Sequence, residues 1–158
     1  GEKFDFSKQL FPILLEMGWP LYAQTINGVW FDVGQPFELI RAQSTLMERY
    51  DELPFSYPST YMESNGNLQA HDANIRGVAI RSVIGERCDV ALESTVEQSL
   101  LMNDCKVNPG ALVHHSVVGV GVVVPPGTVL EHCVVGDGAL LTAGEKYLNK
   151  KIPKETIA

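Results

Sequence analysis

Between Val83 and Leu141, aliphatic residues fall at fixed intervals: Ile84, Val90, Val96, Leu101, Val107, Val113, Val118, Val124, Leu130, Val135 and Leu141. The steps run six, six, five and then repeat, a period of 17 residues. Ser82-Val83-Ile84-Gly85, Ser99-Leu100-Leu101-Met102, Ser116-Val117-Val118-Gly119 and Cys133-Val134-Val135-Gly136 recur in one register, and Pro109-Gly110-Ala111 recurs as Pro126-Gly127-Thr128. Repetition on this scale predicts a solenoid, because one unit cannot bury its apolar side chains alone and stacked units can. Each six-residue step reads as a short strand plus a turn, three steps close a triangular coil, and the segment holds roughly four coils. The register puts Ile84 beneath Leu101, Val118 and Val135 in an interior column, with coils about 4.8 Å apart.

The position four after each aliphatic residue holds Cys88, Ser94, Leu100, Cys105, Ala111, Val117, Val122, Thr128, Val134 and Ala139. These are read as the side chains that fill the narrow corners. Gly85, Gly119, Gly121, Gly136 and Gly138 recur with the coils and are assigned to corners that need positive φ, against a nucleotide-binding loop. Continuous hexapeptides of this kind resemble the left-handed parallel β-helix, an exception to the right-handed crossover preference of parallel strands. The handedness follows from that resemblance. The expected fold class is therefore mainly β: a left-handed β-helix over 77–141, preceded by a small α/β remnant.

Upstream the pattern changes. Ser7 is expected to cap a helix over Lys8–Met17 that Gly18 stops, with Leu10, Ile13, Leu14 and Met17 on one face. Pro20–Ile26 and Val29–Val33 read as strands joined at Asn27-Gly28, a strong hairpin signal. A second helix begins at Pro36 and runs to about Tyr50, with a stripe of Phe37, Ile40, Leu46 and Met47. Residues 51–76 carry Pro54, Pro58, Asn65, Gly66 and Asn67 among the aromatics Phe55, Tyr57 and Tyr61, and read as a linker with an irregular first coil beyond it. There the register offers only Ala73 and Ala79. Residues 142–158 form a tail. Residues 1–50 are too few for a convincing independent domain and are expected to be the C-terminal end of a larger one, truncated at Gly1.

A hydrophobic content of 45% with 20% charged residues suits a globular chain, and no apolar run approaches the ~20 residues of a membrane span. The polar start, Gly1-Glu2-Lys3, lacks the apolar stretch of a signal peptide, so a cytoplasmic location is expected. The net charge of −7 argues against nucleic-acid binding. Lys146, Lys150, Lys151 and Lys154 alternate with apolar residues and read as a solvated end. The three cysteines make no CxxC pair; Cys88 and Cys105 fall in one column and are expected to be buried free thiols.

The stretch Gly28-Val29-Trp30-Phe31-Asp32-Val33-Gly34-Gln35-Pro36 resembles the W-x-D-V/I-G-T/Q-P segment of sugar-1-phosphate nucleotidyltransferases. Phe4-Asp5-Phe6-Ser7-Lys8-Gln9-Leu10-Phe11-Pro12 resembles a second segment of that family, F-D-F/W-S/G-K-D-L-F-P. Gly34-Gln35-Pro36 resembles the mannose-1-phosphate guanylyltransferase (GDP-mannose pyrophosphorylase) branch. The resemblance implies a nucleoside triphosphate and a sugar 1-phosphate as substrates, with Mg²⁺ held by two carboxylates, one of them at Asp32. On the residues alone, Asp32 sits at an expected strand end facing a cleft, or it caps the helix at Pro36, or it satisfies the turn at Gly34. The family's glycine-rich phosphate loop, activating lysine and first metal-binding Asp have no counterpart among the 158 residues. No catalytic or cofactor-binding residue is therefore assigned, and the chain alone is expected to be inactive.

Hexapeptide prisms also host acyltransferases and γ-class carbonic anhydrases. His115 and His132 are 17 residues apart and should stack in one column above Gln98 and Arg81, where zinc would require a third nitrogen from a neighbouring subunit. The anhydrase H-x4-H spacing is missing, and no inserted loop interrupts Ile84–Leu141, so the column is read as exposed. The prism is expected to serve assembly and regulation, joining a homo-oligomer through a patch such as Val120, Val122 and Val123. A free-standing hexapeptide scaffold or an acyltransferase-like protein is the alternative.

Overall fold

The computed structural model describes residues 3–49, 52, 58, 61–64 and 66–154, without the side chains of Met62 and Glu63. Pro54, Phe55, Tyr57 and Asn65 of the expected linker lie outside the described residues, as do Tyr50 and tail residues 155–158. The chain divides into two compact units, 1–30 and 31–158.

The larger unit contains three parallel sheets, each visited once per coil. The first carries β2 (Asn67–Ala70), β5 (Val83–Ile84), β8 (Leu100–Leu101), β11 (Val117–Val118), β14 (Val134–Val135) and β16 (Lys151–Ile152), with β1 (Tyr61–Ser64) antiparallel outside β2. The second carries β4 (Val78–Ile80), β7 (Thr95–Glu97), β10 (Leu112–His114), β13 (Val129–Glu131) and β15 (Lys146–Leu148). The third carries β3 (Asn74–Ile75), β6 (Asp89–Val90), β9 (Lys106–Val107) and β12 (Val123–Val124). Ile84 pairs with Leu101, Leu101 with Val118, and Val118 with Val135, the register that the 17-residue period predicts. Each aliphatic residue from Ile84 to Val135 in the series is 2% exposed or less. About five turns stack, consistent with the left-handed β-helix.

A residue with positive φ marks each corner from Arg81 to Asn149. Arg81, Gln98, His115, His132 and Asn149 form one such column, with φ between 44° and 53°. An L-residue there costs about 1–2 kcal/mol, and the offset is visible in the backbone. The turn aims the corner N–H at the coil below, so Gln98 donates to Ile80 O (2.9 Å), His115 to Glu97 O (3.0 Å), His132 to His114 O (3.1 Å) and Asn149 to Glu131 O (2.9 Å). Gly121 and Gly138 also take positive φ, as expected, but Gly85, Gly119 and Gly136 do not. Those three are needed for closeness. A Cβ on Gly119 would stand 2.6 Å from the backbone nitrogen of Asp137 in the next coil.

The corner residues also differ from expectation. The short five-residue step moves the corner to Ser82, Ser99, Ser116 and Cys133, all at most 2% exposed. Leu100, Val117 and Val134, expected at corners, are instead strand residues on the outer side of the first face. Val122 is a fully buried corner residue, so of the expected patch only Val120 and Val123 are exposed. Cys88, Cys105 and Cys133 are buried and free.

The prism extends past 77–141 at both ends. The first coil, expected to be irregular, has regular strands β2, β3 and β4, with Leu68 paired to Val83, Asn74 to Asp89 and Val78 to Thr95. Asn67 stands 17 residues below Ile84 and is 3% exposed. The ladder sets Gln69, not Asn67, beneath Ile84, so the first coil is two residues short on this face; the Asn67 side chain donates to Ala79 O (2.9 Å) and accepts from Ser82 N (2.9 Å), ending the column of Ser82. At the other end, Tyr147 and Ile152 continue the series on β15 and β16.

Helix α2 (Pro36–Glu48) starts at Pro36, as expected, and belongs with the prism and not with the segment before it. Ile40, 4% exposed, packs on Leu100 and Val117, and Phe37, Leu39, Val83 and Met102 adjoin them. Val83, Leu100 and Val117 are one residue before the inward series, so they make an apolar stripe outside the first face. The helix covers it.

The smaller unit holds a π-helical turn (Phe6–Leu10) running into helix α1 (Phe11–Glu16). Its cap is Asp5, not Ser7: Asp5 Oδ1 accepts from the backbone N–H of Ser7 and Lys8, both 2.9 Å, while Ser7 Oγ donates to the same oxygen. A carboxylate outcompetes a hydroxyl for those amides because it carries charge at the helix start. Gly18, at φ 73°, follows the last turn as expected. The hairpin expected over Pro20–Val33 is not formed; these residues are not paired strands. A lone two-stranded ribbon is marginal without a covering element, and neither helical segment of the smaller unit has a buried residue to provide one.

Candidate functional site

Asp32 occupies an exposed, unpaired segment shortly before α2. With no strand over Val29–Val33, it is not at a strand end. It does not cap the helix either, since the N-cap is Gln35 and makes no side-chain hydrogen bond. Arg41 of α2 lies 5.6 Å from the ring centroid of Phe31, which tethers the residue before Asp32 to the helix by a cation–π contact. Among the described residues the Asp32 carboxylate has no hydrogen-bond or ion-pair partner. Its hard oxygen donors suit Mg²⁺. No group of three metal-type side chains among the described residues includes it, so by itself it supplies one ligand and not a centre.

A second constellation lies where α2 crosses the corner column. His114 ends β10, His115 takes the corner, Glu131 ends β13 and His132 takes the corner one coil above. The ladder pairs His114 with Glu131 directly. His115 and His132 have ring centroids 4.6 Å apart, and His114 lies 6.0 Å from His132 and 6.3 Å from His115. Phe37, on the first turn of α2, stacks on His115 at 5.7 Å with an interplanar angle of 10°. The column expected to be exposed is thus partly roofed. Burial, then the neighbouring imidazoles His132 and His114, lower the pKa of His115 below the ordinary histidine value. Lower on the same column, Arg81 Nη2 meets Glu48 Oε1 at 2.6 Å, at the other end of the helix. Beside His115 a groove of about 310 Å³ is lined by Phe37, Ile40, Arg41, Ser44 and Gln98 among others.

One ligand atom each from His114, Glu131 and His132 can be chosen so that all lie within 4.8 Å of one another. The spacing of His115 and His132 is visible in the sequence, but a third nitrogen from another subunit is not needed to make a triad. His114 and Glu131 were the missed residues. Their signal is the dipeptide offset: His114-His115 and Glu131-His132 are one period apart.

Residues 65–146 match the family described as GlmU-like, C-terminal hexapeptide. Curated relatives include the glucose-1-phosphate adenylyltransferase of Trichlorobacter lovleyi, 30% identical over 129 residues, or 70% of this chain and 31% of the relative. The enzyme of the same name from Geobacillus stearothermophilus is 30% identical over 109 residues, 68% of this chain and 28% of the relative. That of Desulforamulus reducens is 23% identical over 124 residues, 68% of this chain and 31% of the relative. The chain thus spans less than a third of the length of these relatives. No helix among the described residues is long and apolar enough to cross a membrane. With a 17-residue period, a three-sided parallel prism and a match over more than half its length, this chain belongs to the GlmU-like, C-terminal hexapeptide family.

Proposed function

We propose that the chain is the hexapeptide portion, with the adjoining end of the catalytic domain, of an enzyme that transfers a nucleotidyl group from a nucleoside triphosphate to a sugar 1-phosphate. The observation that carries this reading is the joining of Trp30–Pro36 to the prism through α2: the segment that resembles the nucleotidyltransferase motif leads straight into a helix seated on the first face. The names of the curated relatives support the same class. In the complete site Asp32 would be one Mg²⁺ ligand, paired with a carboxylate outside these residues. The ion would neutralise phosphate charge and position the α-phosphate. For substrates, Gln35 supports GTP with mannose 1-phosphate, and the relatives support ATP with glucose 1-phosphate. The prism would join copies of the chain through exposed faces that include Val120 and Val123.

The test is a pyrophosphate-release assay on the 158-residue chain and on the same chain with its upstream reading frame, using both substrate pairs. Magnesium-dependent release by the longer protein, lost in Asp32→Asn, and none by the shorter one is the expected result. Release by the chain alone, or none from the longer protein, overturns the reading. A strictly monomeric chain at high concentration would remove the assembly role.

A further inference from the structure

We propose that His114, Glu131 and His132 bind one divalent transition-metal ion of the zinc type on the prism corner at the foot of α2. The three donors are already within 4.8 Å of one another, whereas tetrahedral ligands at about 2.0–2.1 Å from zinc stand roughly 3.3 Å apart. Rotation about side-chain bonds closes that difference. His114 and Glu131 are direct partners in a parallel ladder, and His132 is fixed by its own N–H to His114 O at 3.1 Å. His114 and Glu131 are carried on strands, which hold a site more closely than loops do.

The donors are also uncommitted. Among the described residues, the Glu131 carboxylate has no hydrogen bond or ion pair, and the rings of His114 and His132 make only ring contacts. Two imidazoles and one carboxylate select borderline ions such as zinc over Mg²⁺ or Ca²⁺, which prefer oxygen alone. Three protein ligands leave a fourth position for water or another donor. Phe37 lies 6.3 Å from His132 and shields one side of the triad. The ion is therefore distinct from the Mg²⁺ expected at Asp32, both in ligand chemistry and in place.

The experiment is calorimetric titration of the chelator-stripped 158-residue chain with zinc chloride. One ion per chain is expected. His114→Ala, Glu131→Gln and His132→Asn should each weaken binding by about tenfold or more; Asn is chosen at position 132 because it tolerates the positive φ of 52° found there. His71→Ala, at an exposed turn in the first coil, should bind as the unaltered chain does. Circular dichroism and melting temperature verify that each variant is folded. Absence of saturable binding in the parent chain, or undiminished affinity in a folded His114→Ala or His132→Asn variant, overturns the proposal.

Discussion

Ser82, Ser99 and Ser116 show how a polar side chain is accommodated inside an aliphatic prism. Each hydroxyl donates to the carbonyl two residues earlier, at 2.7–2.8 Å, and accepts the N–H of the corner residue one coil above, at 2.9–3.2 Å. The ladder supplies acceptors for corner amides. Ser99→Ala would strand the N–H of Ser116, and a buried unsatisfied group costs about 1–3 kcal/mol. The urea midpoint of Ser99→Ala should fall with an unchanged slope; an unaltered midpoint would mean that the ladder contributes nothing. The aliphatic interior was legible because one periodicity specifies both spacing and burial. The serine ladder was not, since its recurrence is as plain as that of the aliphatics but hydrogen bonding carries no hydropathy signal. Asp32 was singled out only through a motif, and its surroundings follow from no periodicity.

Among the elements, α2 was placed well from sequence because Pro36 and the stripe of Phe37 and Ile40 are local signals. Its partner was not, because Val83, Leu100 and Val117 read as corner or strand residues until the five-residue step is placed in space. The absent hairpin is the converse. Asn27-Gly28 promotes a turn, yet strands on either side require a covering layer. Ile40 is the central contact of α2. Truncating a buried Ile to Ala costs about 2–5 kcal/mol, and at a one-sided contact the lower figure applies. Hydrogen exchange in α2 of Ile40→Ala should therefore accelerate by roughly 30-fold, about 2 kcal/mol, with the amides of β8 and β11 unchanged. Equal acceleration in those strands would show that helix and prism open together. The ion pair of Arg81 with Glu48 is more than half exposed on both sides and adds little to this docking.

For the prism as a whole, the strand pairings between coils connect residues 17 apart, except that β2 and β3 of the first coil pair with residues 15 ahead. The period identified the architecture, because few folds repeat at that interval. The number of coils was harder to read at the ends, where Gln69 and Tyr147 replace aliphatic residues. Helix α2 imposes a measure on this otherwise open-ended stack. Glu48 meets the corner column at Arg81 and Phe37 meets it at His115 and His132. Arg81 to His132 is three coils, about 14 Å at 4.8 Å each, and Phe37 to Glu48 is eleven residues of helix, about 16 Å. The two lengths agree to within a side chain. Excising residues 99–115, one whole period, should thus leave a folded β-rich prism by circular dichroism while α2 loses its exchange protection; retained protection would show that the helix does not gauge the stack. Repeat proteins of this kind can lengthen or shorten by whole coils without injury to their cores. In this one, a change in the number of coils between Arg81 and His132 would need a matching change in helix length, about three residues per coil.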